Sequence, residues 1–93
     1  MQVKILYDDV LYIEGVKQYV KIITAAGQTI TLESIKKLEE QLPADQFMRL
    51  HKSYIVSLKK ITAMGRKEIS IGNKKIPVGK TYEEAWMKQM REL

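Results

Sequence analysis

The sequence predicts a mainly β domain of many short strands with two short peripheral helices. Three observations predict it. Short apolar runs rich in β-branched and aromatic residues recur along the chain, Gly- or Asp-bearing breaks separate them, and helical periodicity occurs in only two places. With 93 residues the chain is expected to form one domain spanning 1–93, since single domains commonly run to roughly 100–150 residues.

The first expected strand is Val3–Leu6, and Asp8-Asp9 turns the chain into Val10-Leu11-Tyr12-Ile13. That run is too short for a helix and apolar on both faces, which marks a buried strand. Tyr19–Thr24 follows, then Ala25-Ala26-Gly27-Gln28 as a hairpin loop. In the next strand, Gln28–Leu32, Ile30 and Leu32 share one side and Thr29 and Thr31 the other. The period then changes. Ile35, Leu38 and Leu42 fall at i, i+3 and i+7, Ser34 is placed to cap, and Pro43 stops the helix. Lys36, Lys37, Glu39 and Glu40 read as its solvated face. After a connector, Tyr54-Ile55-Val56 and Ile61–Met64 are the next expected strands. Gly65-Arg66-Lys67 turns into Glu68–Ile71, with Ile69 and Ile71 inward, and Gly72-Asn73 marks a hairpin into Ile76-Pro77-Val78. Pro77 has no N–H for a ladder, so that strand belongs at an edge. Thr81-Tyr82-Glu83-Glu84 has capping-box form and opens a terminal helix with Tyr82, Ala85, Trp86 and Met90 on one face. Trp86 is expected to dock it.

Composition excludes several functions. No apolar run nears the ~20 residues that span a bilayer, and MQVKILYDDV lacks a signal-peptide core. Without cysteine there is no disulfide framework or thiol nucleophile, and the single His51 cannot build a multi-histidine metal site. The chain reads as intracellular and cytoplasmic, without membrane or cofactor. Catalysis has little support. His51 and Ser53 lack a third group to orient a base, and the carboxylate pairs Asp8-Asp9, Glu39-Glu40 and Glu83-Glu84 read as a turn, a helix surface and a helix first turn. No Gly-rich phosphate loop is present. The chain is not expected to be an enzyme.

Charge is more informative. Residues 49–80 carry nine basic side chains against the single acid Glu68, a net +8, while the rest of the chain nets −3. A clustered positive block on a small domain is the footprint of a polyanion, nucleic acid first. Within it Arg49, His51, Lys52 and Ser53 form a polar group ahead of an apolar strand. Lysine suits guanine edges or phosphate, and serine and histidine suit phosphate oxygens. His51 and Arg49 fit a second role equally, holding their loop to the strand that begins at Tyr54. Lys80 precedes the last helix, where a basic side chain can reach a groove without disturbing the core.

Three segments then resemble one family. Asp9-Val10-Leu11-Tyr12-Ile13-Glu14 with Gln18-Tyr19-Val20 resembles the "D-I-x-Y-I-E … N-Y-V" opening of LytTR-type DNA-binding domains. Phe47-Met48-Arg49-Leu50-His51-Lys52-Ser53-Tyr54-Ile55-Val56 is similar to that family's "F-x-R-x-H-[KR]-S-Y-[IL]-V", and Ile76-Pro77-Val78-Gly79-Lys80-Thr81-Tyr82 to its "I-P-V-S-R-x-Y". Order and spacing agree from about residue 8 to residue 82. Gln18 and Ser57 stand where Asn is usual, and Gly79-Lys80 replaces Ser-Arg, which trades a planar fork for a point charge.

The resemblance implies an elongated arrangement of about ten short strands in small packed sheets. It implies duplex DNA contacted by loops in successive major grooves rather than by a recognition helix. Carried over by position, the contacts would be Lys17, Gln18 and Tyr19; Arg49, His51, Lys52 and Ser53; and Gly79 and Lys80. Lys52 and Lys80 align with base readers, with Gln18 or Tyr19 near a third. The implied partners are direct DNA repeats, a second copy of the chain on that DNA, and the N-terminal receiver domain of a bacterial two-component response regulator. The alternatives are an RNA-binding β-module, for which exposed aromatics are scarce, and a protein-interaction β-domain with a lysine face.

Overall fold

Val10–Val16 (β1) and Tyr19–Thr24 (β2) pair across a two-residue turn, and Gly27–Leu32 (β3) continues the meander. Phe47–His51 (β4) and Tyr54–Ser57 (β5) form a second hairpin, and β5 joins β1 to give an antiparallel sheet of order β3-β2-β1-β5-β4. The computed structural model describes residues 4–93. A bulge at Leu11 puts Val10 opposite Thr24 but Tyr12 opposite Ile23. Val10 and Ile13, three residues apart, can therefore turn to one face. There they form a buried cluster with Val20, Phe47 and Ile55, covered by Ile35 and Leu38 of the helix Ile35–Gln41 (α1). Ser34 caps α1 as expected, its Oγ accepting from the Lys37 N–H at 3.1 Å. Gly15 permits the approach of α1, since a Cβ there would lie 3.2 Å from Ile35 Cβ.

The other face of β4 and β5 is covered by a second antiparallel sheet, Ala63–Met64 (β6), Glu68–Ile71 (β7) and Lys74–Pro77 (β8), in that order. Ile69, Ile71 and Ile76 meet Leu50, Val56 and Leu58 in one core, which Trp86 of Glu83–Met90 (α2) completes. Trp86 is fully buried and its Nε1–H donates to the Gly65 carbonyl at 2.9 Å. It docks the helix, as expected, and Pro77 lies on an edge strand. The molecule measures 41 × 23 × 22 Å. It is mainly β and elongated, with eight strands among the described residues rather than about ten.

Several expectations need correction. Lys4–Leu6 form no strand, Val3 lies outside the described residues, and Tyr7–Asp9 make a 3₁₀ turn. The connector before Tyr54 contains a strand, β4, whose Phe47 and Leu50 are buried while Arg49 masks the apolar alternation. The strand expected at Ile61 starts at Ala63, because Leu58–Lys60 first close a 3₁₀ turn. The capping box does not form. Lys80–Tyr82 is a 3₁₀ turn in which the Tyr82 and Glu83 N–H groups bond to the Gly79 and Lys80 carbonyls, so α2 starts at Glu83 with Tyr82, not Thr81, as its N-cap and no side chain caps it. Ala85 is exposed. Ile30 and Leu32 share a side, but that side is uncovered, 54% and 67% exposed.

Candidate nucleic-acid interface

Antiparallel pairing fixes where the turns fall. The β1–β2 turn, Lys17-Gln18, and the β4–β5 turn, Lys52-Ser53, lie at the same end of their strands, tied by the Gly15 N–H donating to the Ser53 carbonyl at 2.8 Å. A third segment joins them: the Gly79 N–H donates to the Leu50 carbonyl at 2.7 Å. Gly79 suits this approach, because a Cβ there would stand 3.0 Å from the Tyr82 ring and 3.5 Å from the His51 ring. The structure thus brings together all nine residues nominated from the sequence. Lys17, Gln18, Tyr19, Lys52 and Lys80 are exposed, while Arg49, His51, Ser53 and Gly79 lie partly buried behind them.

Arg49 faces inward. Its side chain is 13% exposed; Nη1 meets Glu39 Oε1 at 2.7 Å, Nε donates to the His51 carbonyl at 3.0 Å, and Nη2 to the Lys52 carbonyl at 2.6 Å. One planar guanidinium therefore clamps the 51–53 turn to α1, a task its fork geometry suits. Arg49 and His51 belong to β4 rather than to a loop, and a register shift places Arg49 opposite Ile55 but His51 opposite Tyr54. The bulge turns the His51 ring toward Tyr54, centroids 5.7 Å apart. His51 Nδ1 accepts the Ser53 N–H at 3.1 Å, so the neutral ring carries its proton on Nε2. No unpartnered side-chain nitrogen is buried among the described residues, so Nε2 meets solvent. The sequence reading missed Glu39. It stands ten positions before Arg49 and on a different element, and its spacing on α1 is that of any solvated residue.

The +8 block is not one patch. Arg49 pairs with Glu39, Arg66 Nε with Glu83 Oε1 at 3.1 Å, and Lys59 with Asp8. Lys59 and Lys60 follow β5 at the end of the sheet away from the turns. There the Lys59 ammonium, by hydrogen bond and charge, holds the Asp8 carboxyl below its ordinary value. Lys74 sits over the Tyr54 and Tyr12 rings, 5.6 and 5.9 Å from their centroids, and burial pushes the Tyr12 phenol up. Lys52, Lys67 and Lys80 have no carboxylate partner among the described residues. No cluster of three potential metal ligands occurs among those residues, and no helix is long and apolar enough to cross a membrane.

The chain is 37% identical over 59 residues to the CO-responsive transcriptional regulator RcoM of Rhodospirillum rubrum, covering 63% of this chain and 25% of that protein. It is 30% identical over 90 residues to the sensory transduction protein LytT of Bacillus anthracis, covering 90% of this chain and 37% of that one. The chain therefore spans well under half the length of these relatives. A solved LytTr DNA-binding domain from Bacillus cereus shares the fold, with a TM-score of 0.84 over 95% of this chain and 86% of that chain at 23% identity. The family model of the LytTr DNA-binding domain matches residues 2–91, and the chain belongs to that family.

Proposed function

We propose that this domain reads duplex DNA sequence-specifically as the output part of a bacterial transcription regulator. The observation that carries the reading is the convergence of three turns at one end of the strands, each presenting an exposed lysine: Lys17, Lys52 and Lys80. Lys52 and Lys80 enter major grooves and read base edges, Gln18 or Tyr19 provides a third reading contact, and His51 Nε2–H and Ser53 meet phosphate. Arg49 serves as the brace. The 41 Å long axis exceeds one helical turn of DNA, about 34 Å, so one domain has the length to meet two successive grooves. Two copies on direct repeats reinforce each other by effective concentration. The relatives are longer and bear sensory or regulatory names, which supports a signal-receiving region, such as a receiver domain, elsewhere in the same polypeptide. Single-stranded nucleic acid fits less well. The exposed aromatics are Tyr7 and Tyr19, one near each end of the sheet, and they make no stacking platform.

Titration of a labelled duplex at several salt concentrations tests the reading. Neutralising about six phosphates gives a slope of log K against log[salt] near roughly −5. On a duplex selected from a random pool, Lys52→Ala or Lys80→Ala should cost about 1–3 kcal/mol and relax preference at particular base pairs. Lys36→Ala or Lys37→Ala, on the outer face of α1, should cost a few tenths at most. A flat salt response, or equal losses for all four on every sequence, contradicts it.

A further inference from the structure

Arg66 and Lys67 on the β6–β7 turn, Lys80 on its 3₁₀ turn, and Lys88 and Arg91 at the end of α2 come from three separate elements to line two adjoining hollows. The hollows share Arg66, Lys80 and Glu83 and measure about 660 and 550 Å³. Two carboxylates stand among the five cations. Glu83 takes only the Nε of Arg66 and its side chain is 17% exposed, whereas Arg66 is 69% exposed, so the cations dominate the open surface. Glu84 is the second acid. Lys88 and Arg91 lie outside the +8 block, and along the sequence they look like an ordinary helix end. Only the fold puts them beside Lys80.

We propose that this concavity is a further phosphate site for duplex DNA, in which Lys88 and Arg91 extend the footprint along α2. The inference rests on the DNA-reading function proposed above. A side chain that reaches base edges in a major groove about 12 Å wide has a phosphate strand on either side. On one flank of Lys80 stand Gly79 and His51 in close contact. Lys80 also lines the concavity, which meets the second strand. A solvated helix face would distribute mixed charges along one element; here five cations from three elements, against two carboxylates from α2, converge on one concave surface beside Lys80.

The test compares the intact chain with the double variant Lys88→Ala/Arg91→Ala on a selected duplex and on a scrambled one, from low to physiological salt, with Lys80→Ala alongside. Both substituted positions are exposed, so melting temperatures should agree. The double variant should bind both duplexes about tenfold more weakly at low salt, with a slope shallower by roughly two units, one per lost phosphate contact. Its base preference should be intact, whereas Lys80→Ala should lose preference. An unchanged slope with affinity within about twofold, or a loss confined to the selected duplex, overturns the proposal while leaving the reading function standing. Failure of the unsubstituted chain to bind any duplex overturns both.

Discussion

The β1–β2 turn and the β4–β5 turn lie side by side and are built on opposite principles. The first is a bare hairpin whose leading residue, Lys17, is held at φ 56°, a left-handed conformation that costs a non-glycine residue about 1 kcal/mol. The second is held from behind by two guanidinium bonds from Arg49, which a third bond anchors to Glu39, and by the Ser53 N–H on His51 Nδ1. A turn tied at both carbonyls and one N–H presents Lys52 in a fixed direction, and such preorganisation reduces the ordering cost of recognition. A turn held only by its ladder adapts to its target. The two proposed contacts are thus one fixed and one adjustable.

Breaking the brace should have the largest effect. Arg49→Ala leaves the His51 and Lys52 carbonyls without their guanidinium partner and should cost about 2 kcal/mol, a fall of roughly 10 °C in melting temperature. DNA affinity should fall with it. Arg49→Lys keeps the charge and loses the fork, so it should rescue neither stability nor affinity. Rescue of affinity alone by lysine, seen when thermal unfolding and duplex titration are run on both variants, would show Arg49 acting as a simple phosphate contact.

The brace also marks the limit of what the sequence revealed. Strands β2 and β7 and the capped helix α1 were legible to the residue or nearly so, because alternation, the change of period and Ser34 all act locally. The residues proposed to read DNA were nominated through three short segments, whose turns the backbone hydrogen bonds Gly15–Ser53 and Gly79–Leu50 tie together. The clamp was not, because Arg49 and Glu39 meet through tertiary packing of β4 against α1. The same holds for β4 itself. Its alternation is broken by a partly buried arginine and then by a bulge, and neither follows from residue periodicity. Thr81 shows the converse: a valid local signal lost to a 3₁₀ turn whose start is set by the long-range Gly79–Leu50 hydrogen bond.

Relaxing the other turn should move stability and binding in opposite directions. Lys17→Gly removes the left-handed penalty and should stabilise the domain by about 0.5–1 kcal/mol, partly offset by the entropy glycine adds to the unfolded chain. It also removes an exposed cation beside the proposed third contact, so duplex affinity should fall and the salt slope should become shallower by about one unit. Lys17→Asn, which also tolerates φ > 0, should behave alike. A gain in stability with unchanged affinity would leave the strain without a functional partner and reduce the comparison to one braced reading turn.

The smallest effect should come from the far end of the sheet, where Lys59 meets Asp8. Both side chains are well exposed, 51% and 76%, so screening by water and salt keeps the pair weak. The Asp8 carboxyl titrates below its ordinary value in the folded chain, chiefly through its hydrogen bond from Lys59. A carboxyl depressed by folding stabilises the fold above its unfolded pKa, near 3.9, and that contribution is lost as pH falls through the lower folded value. Lys59→Ala should therefore melt slightly below the unsubstituted chain at neutral pH, and the two curves should converge in the acid range. Its duplex affinity should change only by the small long-range effect of one distant charge. That makes Lys59 the control for the whole arrangement, since it lies inside the +8 block but away from the three turns. If Lys59→Ala weakened binding as much as Lys52→Ala, sequence position within the block would matter more than position in the fold, and the contrast between the two turns would have no bearing on recognition.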